Sequence, residues 1–258
     1  MSIFNNTVLR DVFAFNYPPS TDLAAKVRSI PILGKNDDID SASVPETMWE
    51  VGGAYVFPTA ASVATMTSTS DHDKFGGIGA GIILVEGLDS NYNEQFETVI
   101  MNGSGVVSTT KSFYRINAFR SVYHGAAKVA AGTITCTVDG KTVRQISASI
   151  DYTAVYTVPK DHSLFTMHFT HNLLRTATAI ITLETKVYVP DTNGIVAASY
   201  IVVSNAVPTN VQPVPQAFPK IPEKSDYWID VSYSSANNVP ASTIGRALLV
   251  KNSIIPTY

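Results

Sequence analysis

Few groupings in the 258-residue chain could do chemistry, and the best is the loop Asp89-Ser90-Asn91-Tyr92-Asn93-Glu94. Asp89, Asn91 and Asn93 place oxygen donors at alternate positions, as the opening of a calcium loop does. The sixth position is Glu94 where a sharp turn wants glycine, and the twelfth is Ile100 where the ion wants a bidentate glutamate. Asp and Asn also stabilise ordinary turns by bonding their own backbone. The loop therefore reads as a turn, with a weak calcium loop on Asp89, Asn91 and Asn93 as the alternative. Asp71, His72 and Asp73 form a second polar loop, but nothing in the spacing brings it to Asp89.

Histidine is densest at His162, His168 and His171. The stretch Phe165-Thr166-Met167-His168-Phe169-Thr170 alternates as a strand does, and positions 168 and 171 of a strand face opposite ways, so they cannot share one zinc ion. The run Gly76-Gly77-Ile78-Gly79-Ala80-Gly81 precedes a strand, Ile82-Ile83-Leu84-Val85. A dinucleotide site needs a helix there, so that phosphate meets its N-terminus; this run reads as a surface loop. Gly103-Ser104-Gly105 is too short for a nucleophile elbow and reads as a turn, and a carboxylate pair at Glu94 and Glu97 is not distinguishable by spacing from a solvated turn and strand start. No catalytic, cofactor-binding or metal residues are assigned, and an enzyme is not expected.

The elements that would position such groups are strands. Hydrophobic residues make up 45% and charged residues 15%, against a usual share of about 25% charged. Thr, Ser and Asn replace the missing charge and suit strand faces and turns. Net charge is −3 and the pI about 5.9. Lys and Arg are scattered singly, without the basic stripe of a duplex-binding surface, so nucleic acid is not an expected partner. No run approaches about 18 apolar residues, so no membrane span is expected. The N-terminus lacks the basic start of a signal peptide, and synthesis in a cytoplasm is expected. Cys136, alone in its type, sits in the strand-like Thr135-Cys136-Thr137 and reads as a buried apolar residue.

Alternation and β-branched residues predict strands over 8–15, 48–57 (broken at Gly52-Gly53), 62–68, 81–86, 96–102, 111–122, 133–138, 143–150, 154–158, 164–170, 178–189 and 195–204. A short helix is expected over 23–30. Asp139-Gly140 is a two-residue hairpin turn that needs φ > 0 at both positions, and Asp191-Thr192-Asn193-Gly194 is a second turn. Prolines 208, 213, 215, 219 and 222 mark a stiff, extended connection, after which 227–233 and 246–250 return as strands. The fold class expected is all-β, an antiparallel β-sandwich or jelly-roll-like barrel with an extended N-terminal arm. Its parts are an arm over 1–45, a main β domain over 46–206, a Pro-rich connection over 207–225, and C-terminal strands over 226–258 completing the domain. Tyr17, Tyr55, Tyr92, Tyr114, Tyr123, Tyr227, Trp228 and Tyr233 could line a sugar- or protein-binding surface, although most are expected between sheets, and Trp49 is expected to anchor the core.

Several phrases, read together, carry a resemblance. They are Trp49-Glu50-Val51-Gly52-Gly53-Ala54-Tyr55-Val56-Phe57-Pro58, Glu86-Gly87-Leu88-Asp89 with Tyr92-Asn93-Glu94, and Glu97-Thr98-Val99 with Asn102-Gly103. Phe113-Tyr114-Arg115-Ile116-Asn117, Tyr156-Thr157-Val158-Pro159 and Lys224-Ser225-Asp226-Tyr227-Trp228-Ile229 continue the pattern. Over roughly 46–160 and a C-terminal patch, the chain resembles a group of virion structural proteins of tailed bacteriophages of aquatic bacteria, cyanobacteria included. The group usually carries a Pro-Ala-Gly-type turn where this chain has Pro159-Lys160-Asp161, so the segment that follows is expected to differ in role. The resemblance implies a place in the virion, assembly in the host cytoplasm, and a job of assembly or stabilisation: capsid decoration or cement, or a neck, baseplate or tail component. It implies other virion proteins (capsid, neck or tail proteins) as partners, and a homo-oligomer. Residues 1–45 are expected to tie one subunit to its neighbour. A receptor- or glycan-binding β module of a tail fibre is the alternative. A polysaccharide hydrolase, needing convergent carboxylates in a groove, comes third.

Overall fold

The computed structural model describes residues 26–39, 44–173, 179–189, 194–204, 209–211, 220–233 and 239–255. In chain order its strands are β1 (Val27–Ile39), β2 (Glu46–Thr47), β3 (Ser62–Ser68), β4 (Ala80–Leu88), β5 (Glu94–Ile100), β6 (Val107–Phe113), β7 (Arg115–His124) and β8 (Ile134–Val138). They continue with β9 (Lys141–Ile146), β10 (Val155–Thr157), β11 (His162–Leu173), β12 (Ala179–Val189), β13 (Gly194–Ser204), β14 (Thr209–Val211), β15 (Asp226–Tyr233) and β16 (Val239–Lys251). The described pairings are antiparallel, and the fold is all-β.

Two pairs of sheets each enclose a core. In the terminal sandwich, the sheet β1-β16-β11-β14 faces the sheet β10-β15-β12-β13, to whose β15 the short β2 also pairs. Ile32, Leu164, Phe169 and Leu249 from the first sheet meet Tyr156, Tyr227, Ile229 and Val231 from the second. In the central sandwich, β6-β3-β8-β9 faces β5-β4-β7, around Met66, Ile83, Val85, Phe113, Phe119, Ile134 and Cys136. Trp228 and Val155 belong to this second core. Because successive strand residues face opposite ways, β15 sends Tyr227 and Ile229 into one core and Trp228 into the other. The sheet carrying β15 is thus a wall shared by both.

The longest-range pairing is β1 with β16, whose register sets Val27 opposite Val250. Gly34 is needed in β1, because a Cβ there would lie 2.6 Å from the Met48 carbonyl oxygen. Asp139 and Gly140 have φ of 52° and 67°, the conformation expected of the β8–β9 turn.

Three local expectations are corrected. The helix expected over 23–30 is strand from Val27 onward: spacing alone could not foresee the hydrogen-bonded partner that β16 provides. The strand expected over 48–57 is absent, because Gly52 and Gly53 take φ of 78° and 66° and turn the chain back. The single strand expected over 111–122 is two, β6 and β7, divided at Tyr114, whose N–H donates to the Leu88 carbonyl. The expected strand over 8–15, most of the 191–194 turn and most of the proline-rich stretch lie outside the described residues. Within that stretch Thr209–Val211 is a short strand on β11, and Ile221 bridges Leu164.

Candidate functional site

Four of the resembling phrases, those around Trp49, Arg115, Thr157 and Asp226, are distant in sequence and meet at the seam between the two sandwiches. Trp49, Tyr55, Phe57 and Trp228 form a chain of edge-to-face rings with centroids 5.0, 4.8 and 5.4 Å apart. The turn at Gly52-Gly53 makes this possible: it takes the aromatics out of a strand and lets the Trp49 indole N–H donate to the Gly53 carbonyl at 2.9 Å. Beside the rings, Arg115 makes two parallel bonds of 2.9 Å to the two oxygens of Asp226. It also donates to the carbonyls of Pro58 and Tyr114, with the Tyr114 ring 4.0 Å from its guanidinium carbon. Asn117 lies nearby and pairs with Thr157 as a backbone would, accepting its N–H and donating to its carbonyl, both at 2.8 Å.

A second buried arginine, Arg144 of β9, is 1% exposed at its side chain. It donates to the carbonyls of Ile116, Thr153 and Val155 and to the Asp151 carboxylate. Both guanidinium groups are desolvated and therefore costly unless every donor is placed; here they join β7 and β9 to the shared wall. The seam is made of packed rings and hydrogen-bonded side chains. As arranged, its chemistry is cohesion.

The seam positions an exposed face on β5-β4-β7. On β5 the side chains Phe96 and Ile100 are 65% and 62% exposed, while Val99 between them is buried. Ile100 stands opposite Ile82 of β4, and Phe96 opposite Glu86. Alternation alone would turn the apolar set Phe96 and Ile100 inward, yet here it faces out. The cause is Glu97, whose carboxylate accepts the backbone N–H groups of Thr110 and Lys111 on β6, while Gln95 donates to the Ser112 carbonyl. These polar side chains close the gap between the two sheets in place of a ladder. Burial pushes the Glu97 carboxyl up, but the N–H groups outweigh it and hold the group below the usual carboxylate range. Charged pairs rim the face, Arg120–Glu86 at 3.1 Å and Arg28–Glu94 at 2.5 Å. An apolar centre inside a polar rim is the anatomy of a protein interface.

Asp89 is occupied within its own loop: Oδ1 accepts the N–H groups of Asn91 and Asn93, and Oδ2 accepts the Asn93 amide. Asn91 and Asn93 serve it as donors, so the three residues make a turn in which the carboxylate is already ligated by hydrogen. Asp73 of the other polar loop is fully buried, accepting from Ser68, Ala80, Ala131 and Gly132, and Asp71 accepts from Ser104. His162 and His171 occupy opposite ends of β11, about 30 Å apart along the strand. Burial drives the His171 pKa down to about 4. Cys136 is buried and its thiol pushed up by desolvation. Among the described residues, no group of three or more His, Cys, Asp or Glu could hold a metal ion.

Of the aromatics singled out in sequence, Tyr55, Tyr227 and Trp228 are buried and Tyr123 is exposed. Trp49 is buried in the central core, as expected of an anchor. Phe75, 61% exposed, stacks on Tyr123 with centroids 5.4 Å apart. Sequence reasoning missed Phe75, Phe96 and Ile100. The one available signal was a conflict, an apolar alternation on a strand whose other face carries Gln95 and Glu97. A crevice of about 400 Å³ lined by Asp37, Asp38, Glu46 and Glu50 opens beside Gly52-Gly53.

No protein-family model and no curated protein matches the sequence. Among solved structures, the chain is similar to the D431N mutant VP2 protein of infectious bursal disease virus in derived T=1 particles, with TM-score 0.28 and 10% identity over 90% of this chain and 71% of that one. VP2 of the Gt strain gives TM-score 0.26 and 11% identity over 90% and 74%. The VP2 subviral particle gives 0.25 and 9% over 90% and 74%. Scores this low carry no argument about function.

Proposed function

We propose that this chain is a structural protein of a bacteriophage virion, acting in assembly or stabilisation of the particle, and that it is not an enzyme. Its place is capsid decoration, or a neck, baseplate or tail component, assembled in the host cytoplasm. Its partners are further copies of itself and other virion proteins. One observation carries the reading: four of the phrases that resemble tailed-phage virion proteins, those holding Trp49 to Phe57, Arg115, Thr157 and Asp226, meet in a buried seam of rings and arginines that supports cohesion between two sandwiches. Many copies in one particle would multiply modest surface contacts through avidity. The decisive experiment images intact particles carrying a labelled copy of the chain. Density at the head, neck or tail is expected; particles without the label would overturn the reading.

A second reading, a receptor- or glycan-binding module of a tail fibre, is favoured by the exposed Phe75–Tyr123 stack. Exposed aromatic rings combine apolar area with, in tyrosine, a polar tip, which suits a binding surface. Binding to host envelope glycans that is lost in Phe75→Ala would support it. Unchanged binding would remove it.

A further inference from the structure

Three loops meet at one end of the central sandwich: β3–β4 (69–79), β5–β6 (101–106) and β7–β8 (125–133). Asp73 of the first loop pins them together. Its buried carboxylate accepts the backbone N–H groups of Ala131 and Gly132 from the third, and its carbonyl accepts the Gly103 N–H from the second. The Gly125 N–H donates to the Gly79 carbonyl, and the Ala127 N–H to the Ile78 carbonyl. The tip is therefore preformed, and little ordering entropy opposes its binding to a partner.

What this tip presents is apolar and cationic. Phe75, Ile78, Val106 and Val129 are between 40% and 69% exposed, and Tyr123 stacks on Phe75. Lys74 and Lys128, next in sequence to Phe75 and Val129, are exposed as well. The acidic residues of the three loops are Asp71 and Asp73; Asp71 is engaged by Ser104, and Asp73 is buried. In a chain of net charge −3, the exposed charge at this end thus favours cations. Apolar side chains beside lysines match a surface in which anionic headgroups overlie hydrocarbon. We propose that this loop tip docks the protein on an anionic lipid surface, with Phe75, Ile78 and Val129 entering the boundary between headgroups and acyl chains and Lys74 and Lys128 held at the phosphates. The contact is peripheral. It goes beyond the virion role and does not depend on it.

The test sediments the purified full chain with vesicles of phosphatidylcholine mixed with phosphatidylglycerol, or of phosphatidylcholine alone. Binding is expected to the mixed vesicles and to be much weaker to the neutral ones. Lys74→Ala with Lys128→Ala should lower affinity for the mixed vesicles about 30-fold, since each lysine near such a surface is worth about fivefold. Phe75→Ser with Ile78→Ser should lower it about 100-fold, from about tenfold for each apolar side chain withdrawn from burial. An environment-sensitive dye on Ile78→Cys should shift to the blue when mixed vesicles are added. The same dye on Asn91→Cys, exposed beyond the far end of β4, should not, and the native Cys136 is buried. Equal shifts at both positions would mean adsorption without orientation and overturn the proposal. So would the absence of vesicle binding, or vesicle binding that the substitutions leave unchanged. Binding to host envelope glycans without binding to vesicles would assign the tip to sugars and also overturn it.

Discussion

The two sandwiches differ in how far apart in sequence their partners lie. The central one is assembled from neighbours: β4 pairs β5, β8 pairs β9, and its own strands fall between Ser62 and Ile146. The terminal one depends on β1 finding β16, with Val27 opposite Val250, and such closure is entropically costly and slow. What joins them is the seam, where Arg115 and Arg144 reach into the shared wall. A locally encoded unit and a globally encoded one thus share a wall that neither encodes alone.

The comparison breaks most visibly at the seam. Asp226→Ala leaves Arg115 buried without its carboxylate and should cost about 3–5 kcal/mol, read as a lower denaturant midpoint. The double variant Arg115→Met with Asp226→Leu should recover most of that loss, since no charge stays buried. A single-variant cost below about 1 kcal/mol would mean that the seam does not couple the sandwiches.

Next in size is a matched pair of core deletions, Phe113→Ala in the central sandwich and Phe169→Ala in the terminal one. Each should cost about 3–5 kcal/mol. Calorimetry should show one transition moving in both cases, because β15 contributes to both cores. Two transitions, with one variant moving only one of them, would divide the molecule at the wall.

Acid should separate the two. His171 in the terminal sandwich is buried and its pKa lies near 4, below the ordinary value of about 6.5. The folded state therefore binds fewer protons than the unfolded one. This contribution to stability is whole above pH 6.5 and is lost as pH falls toward 4. Its size is about 3 kcal/mol, from about 1.4 kcal/mol per pH unit. Thermal melts between pH 7 and 4 should show the slope, and His171→Gln should flatten it. An unchanged slope would place the acid response elsewhere.

The smallest effect concerns the Asp89 loop. Asp89→Ala should cost about 1 kcal/mol, the worth of its turn hydrogen bonds. Calcium at about 100 times a dissociation constant would add about 2.7 kcal/mol if the loop were an ion site. A melting temperature that does not move with calcium is the outcome expected of a turn.

Much of the strand pattern was legible in sequence, because it is local. Residues 62–68 were readable as β3 from alternation, and Asp139-Gly140 as a turn from its need for positive φ. The β1–β16 ladder was not, since pairing across the whole chain leaves no mark within a short window. The 48–57 stretch misled because Trp49, Tyr55 and Phe57 imitate strand periodicity while building a chain of rings around a glycine turn. The arginines read in sequence as scattered charge, and only the fold shows Arg115 and Arg144 buried and hydrogen-bonded in the seam. At the exposed face the alternation pointed the wrong way, since the carboxylate of Glu97 is consumed by the backbone of β6.

The register of β1 against β16 also has a mechanical consequence. Residues 27 and 250 lie side by side at the same end of an antiparallel pair. Tension applied through those two points would part the ladder one rung at a time, like a zipper, and meet little resistance. Tension between the exposed face of β5 and the terminal sandwich would instead load the seam, where ion pairs, rings and carbonyl bonds must give way together. Whatever holds this protein against force is best attached through its faces, and least well through the strand ends at residues 27 and 250.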